Sequence, residues 1–104
     1  MIPHPYFVQA MACLGCGLGP PSECSHIRLL TGGGTGLKPD EQYILPLCHR
    51  CHLELHRGDA RFYAKLGIDV HAVASDLYAC SGNLRVGNRV IAMARCAILL
   101  HQGE

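Results

Sequence analysis

Leu47-Cys48-His49-Arg50-Cys51-His52-Leu53-Glu54-Leu55-His56 decides how this chain is read. Five cysteines and histidines fall within nine positions, 48 to 56. Cys48 and Cys51 have the C-x2-C spacing of a zinc knuckle. His52 and His56 are four apart, so on a helix they lie one above the other on a single face. The sulfurs and the imidazoles need not serve the same ion, and the surrounding chain has to say where each pair goes.

A second C-x2-C pair, Cys13 and Cys16, lies upstream with 31 residues between Cys16 and Cys48. A hairpin between two knuckles brings them together, and four thiolates make the closed tetrahedral set typical of structural zinc. The glycines of Cys13-Leu14-Gly15-Cys16-Gly17 let the backbone turn tightly around an ion. The remaining thiols, Cys24, Cys80 and Cys96, read as small buried hydrophobes.

The chain has 104 residues, 49% of them apolar and 16% charged, with a net charge of +1. That suits one small domain whose modest core profits from a metal staple. It argues against disorder and places any nucleic-acid contact in a local patch rather than in overall charge. The seven cysteines are an odd number, four of them paired as C-x2-C, and Met1 to Pro5 carries no signal-peptide pattern. A reducing, cytoplasmic setting is therefore expected, with no membrane span, because the apolar run Val90 to Leu100 is short and broken by Arg95.

Glu23 to Leu30 reads as a strand with Cys24 and His26 on one face and Ser25 and Ile27 on the other. A glycine-rich loop follows, Thr31 to Gly36, which is either a phosphate-approaching backbone or a plain connector. Tyr43 to Leu47 is a second strand, marked by Pro46 as an edge. A helix over about 49–57 carries the quoted stretch, with Gly58 as its stop. Helices are expected over Asp59–Leu66, Asp69–Ala79 with Asp69 as N-cap, and Leu84–Leu100. The fold class is thus α+β, with 6–60 a zinc-braced core and 61–104 a helical C-terminal extension of one domain.

With zinc on four sulfurs, His52 and His56 are left over. The zinc-protease pattern H-E-x-x-H fails because Leu53 follows His52. A two-Cys, two-His finger fails because Cys51 runs directly into His52. A strand–strand–helix unit with two helix histidines can instead hold a divalent ion against the hairpin, with His26 beside it to deprotonate water. That is the chemistry of metal-assisted phosphodiester hydrolysis. Arg28, Lys38, Arg50, Arg57 and Arg61 cluster around this region in sequence and suit phosphate contacts or plain solvation.

Cys13-x2-Cys16, Ser25-His26-Ile27, Gly34-Thr35-Gly36-Leu37-Lys38-Pro39 and Leu47-Cys48-x2-Cys51-His52-x3-His56 together resemble an HNH (ββα-metal) endonuclease, and within that superfamily the small phage and prophage recombination-associated nucleases. The resemblance covers about residues 8–60. It implies a small ββα-metal core braced by Zn2+, DNA as substrate, and Mg2+ or another divalent ion at the catalytic centre. By motif position His26 is the general base, and His52 and His56 are metal ligands. Arg28, Lys38, Arg50 and Arg57 are the candidate substrate contacts. Two departures stand out: Ser25 occupies the place of an Asp or His ligand, and the middle Asn is missing, with Asp40 or Glu41 near that place. A zinc-braced DNA-binding module with a decayed site is the alternative. A thiol redox protein is a third reading, and it requires zinc-free cysteines. The last helix is expected either to dock on the core or to pair with a second copy of the chain.

Overall fold

A computed structural model describes residues 2–27 and 40–103. The order is α1 (His4–Gln9), β1 (Glu23–His26), a 3-10 turn (Asp40–Tyr43), β2 (Ile44–Leu47), α2 (His49–His56), α3 (Asp59–Leu66), α4 (Val70–Ala79) and α5 (Leu84–Gln102). The protein is a small α+β fold with a two-stranded sheet among its described residues. Among the described residues no helix is long and apolar enough to cross a membrane.

The strands pair antiparallel, with Glu23 opposite Leu47, Cys24 opposite Pro46, Ser25 opposite Leu45 and His26 opposite Ile44. One further bond, Ile27 N–H to the Tyr43 carbonyl at 2.9 Å, extends the ladder. Residues 28–39 lie outside the described part, and with them the end of the strand expected to reach Leu30. Alternation along β1 follows expectation: Ser25 and Ile27 are buried and His26 is exposed. Pro46 has no N–H to give, which suits an edge. Its carbonyl instead accepts the Leu14 N–H at 2.9 Å, so the first cysteine loop is latched to the free side of β2.

Helix boundaries follow local chemistry. Asp69 caps α4 by accepting the Ala72 N–H at 3.1 Å, and Asn83 caps α5 through the Val86 N–H at 3.2 Å. Gly67 closes α3 in the left-handed conformation, φ 71°.

One hydrophobic core joins both halves of the chain. Phe7, Met11 and Leu14 come from the N-terminal segment, Leu45 and Leu47 from β2, and Leu66, Leu77 and Ile98 from the later helices. Of the apolar positions that its three- and four-residue spacing picks out, Val86, Val90, Met93, Ala94, Ala97 and Leu100, α5 fully buries only Ala94. Its packed face is Gly87, Ile91, Ala94 and Ile98, while Met93 and Leu100 are 67% and 72% exposed. Gly87 sets the approach: a Cβ there would fall 2.6 Å from the Phe7 ring and 3.0 Å from the Met11 sulfur. Any side chain at 87 would push α5 off the N-terminal segment.

Candidate functional site

Cys13, Cys16, Cys48 and Cys51 come together with all four sulfurs within 4.8 Å of one another. The Cys16 and Cys48 sulfurs are 3.7 Å apart. A tetrahedron with Zn–S bonds of about 2.3 Å has edges of about 3.8 Å, so the donor set and its spacing fit zinc. Each knuckle turns in the same way. The Cys16 N–H points to the Cys13 sulfur at 3.4 Å, and the Cys51 N–H to the Cys48 sulfur at 3.5 Å. Cys48 is at once the N-cap of α2 and a member of the sulfur cluster. Locally the chain folds this way because an extended residue before a helix aims its side chain back at the first-turn amides.

The thiols divide electrostatically. Burial pushes Cys13 and Cys51 up. At Cys16 burial works in the same direction, but the Leu18 backbone amide and the neighbouring thiols outweigh it and bring the group down to about 7. Cys16 is thus the thiolate already populated at neutral pH, and an ion arriving there displaces protons from the rest. Hydrogen bonding to the Cys16 sulfur pushes the Arg50 pKa up, with the charge of that thiolate as the next contribution.

Two features of this centre escape a sequence reading. Arg95, from the middle of α5, donates to the Gly15 carbonyl at 2.9 Å and to the Leu14 carbonyl at 3.2 Å. The last helix therefore braces the first knuckle instead of only extending a basic surface. Gly15 is needed for space: a Cβ there would sit 2.9 Å from the Cys51 sulfur and 3.3 Å from Phe62.

α2 presents three faces. Cys51 and Leu55 go to the core. Arg50, Leu53, Glu54 and Arg57 face α3 across a groove. His49 and His52 turn toward β1, and His56 lies on the same side of α2 against His52. The rings of His52 and His56 stack with centroids 4.9 Å apart and planes 24° from parallel, as i, i+4 spacing requires. Glu23 meets them from the strand. Its Oε1 is 2.8 Å from His52 Nδ1 and its Oε2 is 3.0 Å from His49 Nδ1. A carboxylate only accepts, so each imidazole donates from Nδ1. In the neutral form of His52 this leaves the lone pair on Nε2. This is how a carboxylate prepares a histidine for a metal. The two imidazole hydrogen bonds, that to His52 first, hold the Glu23 carboxyl below its ordinary value.

Glu23 was not among the residues expected from sequence. Its signal exists only in the register: opposite Leu47, it lies beside the start of α2. His26 lies three residues further along β1, exposed, and alternation gives it the sheet face of Cys24, whose thiol donates to the Pro5 carbonyl at 3.3 Å. The strand residue in contact with the helix histidines is therefore Glu23, where His26 was expected to be adjacent. Ser25 is completely buried, and its hydroxyl has no hydrogen-bond partner among the described residues. Arg50 and Arg57 are exposed on α2. Arg28, Lys38 and the side chains of Asp40 and Glu41 lie outside the described part.

Residues 4–82 match the family described as "Protein of unknown function (DUF968)", and the chain belongs to that family. It is also similar to the uncharacterized protein YdfU of Escherichia coli (strain K12), with 31% identity over 67 residues. That alignment takes in 64% of this chain and 19% of YdfU, so the chain spans about a fifth of the length of this curated relative. No solved structure matches the chain.

Proposed function

We propose that this member of the DUF968 family is a metal-dependent endonuclease of the HNH (ββα-metal) type that hydrolyses DNA phosphodiester bonds. The observation that carries the reading is the Glu23–His52–His56 arrangement. A hairpin carboxylate fixes one helix imidazole by its Nδ1, which in the neutral ring leaves Nε2 for an ion, and a second imidazole stacks on it one turn later. The four-cysteine centre supports the same reading by fixing the start of that helix against the hairpin.

A divalent ion held by His52 and His56 would supply charge stabilisation at a phosphate oxygen. Two imidazoles suit a first-row transition ion better than Mg2+. By motif position His26, exposed at the end of β1, would take the proton from the attacking water, although alternation sets it on the sheet face opposite Glu23. The water oxygen bonds to phosphorus, the bond to the leaving sugar oxygen breaks, and that oxygen takes a proton from solvent. Glu23 orients His52 throughout and does not touch substrate. Arg50 and Arg57 hold neighbouring phosphates.

The second reading, a zinc-braced DNA-binding module without hydrolytic activity, rests on Ser25. In the motif that position precedes the base and carries a ligand, and here it is sealed in the core. Plasmid DNA incubated with zinc-loaded protein and added Mg2+, Mn2+ or Ni2+, beside a His26→Ala variant, separates the two. Nicking by the wild type alone supports the nuclease. Binding with equal background cleavage from both proteins leaves the module.

A further inference from the structure

A groove of about 440 Å3 runs between α2 and α3. Arg50, Arg57, Arg61 and Lys65 line it together with the apolar Leu53 and Phe62. The four cations are exposed. One carboxylate joins them: Glu54 pairs with Lys65. The whole chain carries a net charge of only +1, so this surface concentrates positive charge that the rest of the molecule offsets. On α2, Arg50 and Arg57 are two turns apart, about 10 Å along the axis, which is more than one phosphate group spans. Arg61 and Lys65 are one turn apart on α3. Three of the four are arginines, whose forked donors match phosphate oxygens in pairs. Leu53, half exposed at 51%, separates this groove from the histidine face of α2.

From this geometry we infer that the α2–α3 groove is a backbone-binding track for nucleic acid, in which Arg61 and Lys65 of α3 hold phosphates flanking the one presented to His52 and His56. The inference rests on the reading that the protein acts on nucleic acid, and it does not require cleavage. It extends the contact surface beyond the hairpin and α2 into α3. A strand lying across Leu53 is gripped on one side and exposed to the histidines on the other. The contacts are to phosphates, so the track is indifferent to base sequence and sensitive to salt.

The test uses the full zinc-loaded protein with a fluorescent 16-base-pair duplex and no added catalytic metal, read by anisotropy over a series of salt concentrations. An Arg61→Ala/Lys65→Ala variant is compared with Arg85→Ala/Arg89→Ala, which removes the same charge from α5 outside the groove. Each variant is first checked for one bound zinc. At low salt the groove variant should bind at least tenfold more weakly than wild type, and its salt slope should fall by about 1.8, roughly 0.9 for each lost phosphate contact. The α5 variant should stay within about twofold of wild type. Equal losses in the two variants, or none in either, overturn the track. Competition by poly-glutamate as effective as that by unlabelled duplex assigns the groove to an acidic protein partner and overturns it too. Competition by inorganic phosphate at matched phosphate concentration reduces it to a single-anion site. Binding through the groove without plasmid nicking keeps the track and removes the nuclease. Nicking with an unaffected groove variant does the reverse.

Discussion

Glu23 on the first strand and His52 on the second helix are joined by a 2.8 Å contact between Oε1 and Nδ1, across 29 residues of chain. The same carboxylate holds His49 with its other oxygen. One side chain thus ties the hairpin to the helix and places a proton of His52 on Nδ1.

Glu23→Gln keeps the size and loses the charge. Amides can offer either a donor or an acceptor to an imidazole, so the tautomer is no longer imposed. Divalent-ion affinity at the histidines, measured by calorimetry on zinc-loaded protein, should fall by about 10–100-fold, and plasmid nicking should fall with it. Unchanged affinity would show that Glu23 is only a surface partner. The pH dependence has a definite sign. The folded carboxyl is held below its ordinary value of 4.5 by His52 and then His49. Its contribution is complete above that value and disappears as pH falls through the folded one. The stability difference between wild type and Glu23→Gln, from urea unfolding, should therefore be present above the ordinary carboxylate value and shrink as pH falls through the folded one.

The sulfur cluster predicts one tightly held zinc whose affinity rises with pH. Cys13 and Cys51 are held protonated by burial while Cys16 titrates at about 7, so binding releases protons. Competition against a chromophoric chelator should show zinc held more weakly at pH 6 than at pH 8. Cys13→Ser should lose the ion and lower Tm. Gly15→Ala should weaken zinc binding with every thiol still present, because its Cβ would press on the Cys51 sulfur. Gly19→Ala, with open space around it, should change nothing. A flat pH profile, or equal behaviour of the two glycine variants, would contradict this account.

Ser25 gives opposite outcomes for two substitutions. Its hydroxyl is fully buried without a hydrogen-bond partner among the described residues. Ser25→Ala should be neutral or raise stability by about 1 kcal/mol, since it removes an unsatisfied polar group. Ser25→Asp would place the carboxylate of the motif in the core instead of at the histidines. It should cost several kcal/mol and provide no additional metal binding. A stable Ser25→Asp protein with increased divalent-ion affinity would show that the strand can rotate this position outward.

Much of this protein is legible in its sequence because the relevant physics is local. C-x2-C spacing specifies a knuckle whose amides point at its own sulfur. The i, i+4 spacing of His52 and His56 stacks two rings. Asp69, Asn83 and Gly67 end helices by rules that reach only three or four residues. The two cysteine pairs also declared their partnership, since four thiolates satisfy one ion better than any other grouping in the chain.

Tertiary structure alone decided the rest. Glu23 becomes the partner of His52 and His49 only through the register that sets it opposite Leu47, and a shift of one residue would turn it to the other face of the sheet. Arg95 braces the first knuckle from 80 residues away. α5 chose Gly87, Ile91, Ala94 and Ile98 as its inner face because a glycine admits the Phe7 ring there, whereas the stripe supported by spacing alone shares only Ala94 with it. Ser25 was buried by that same alternation. Sequence specified the ligands and the turns, whose geometry is short-range. Packing and strand register, which are collective, specified which side chains stand behind them.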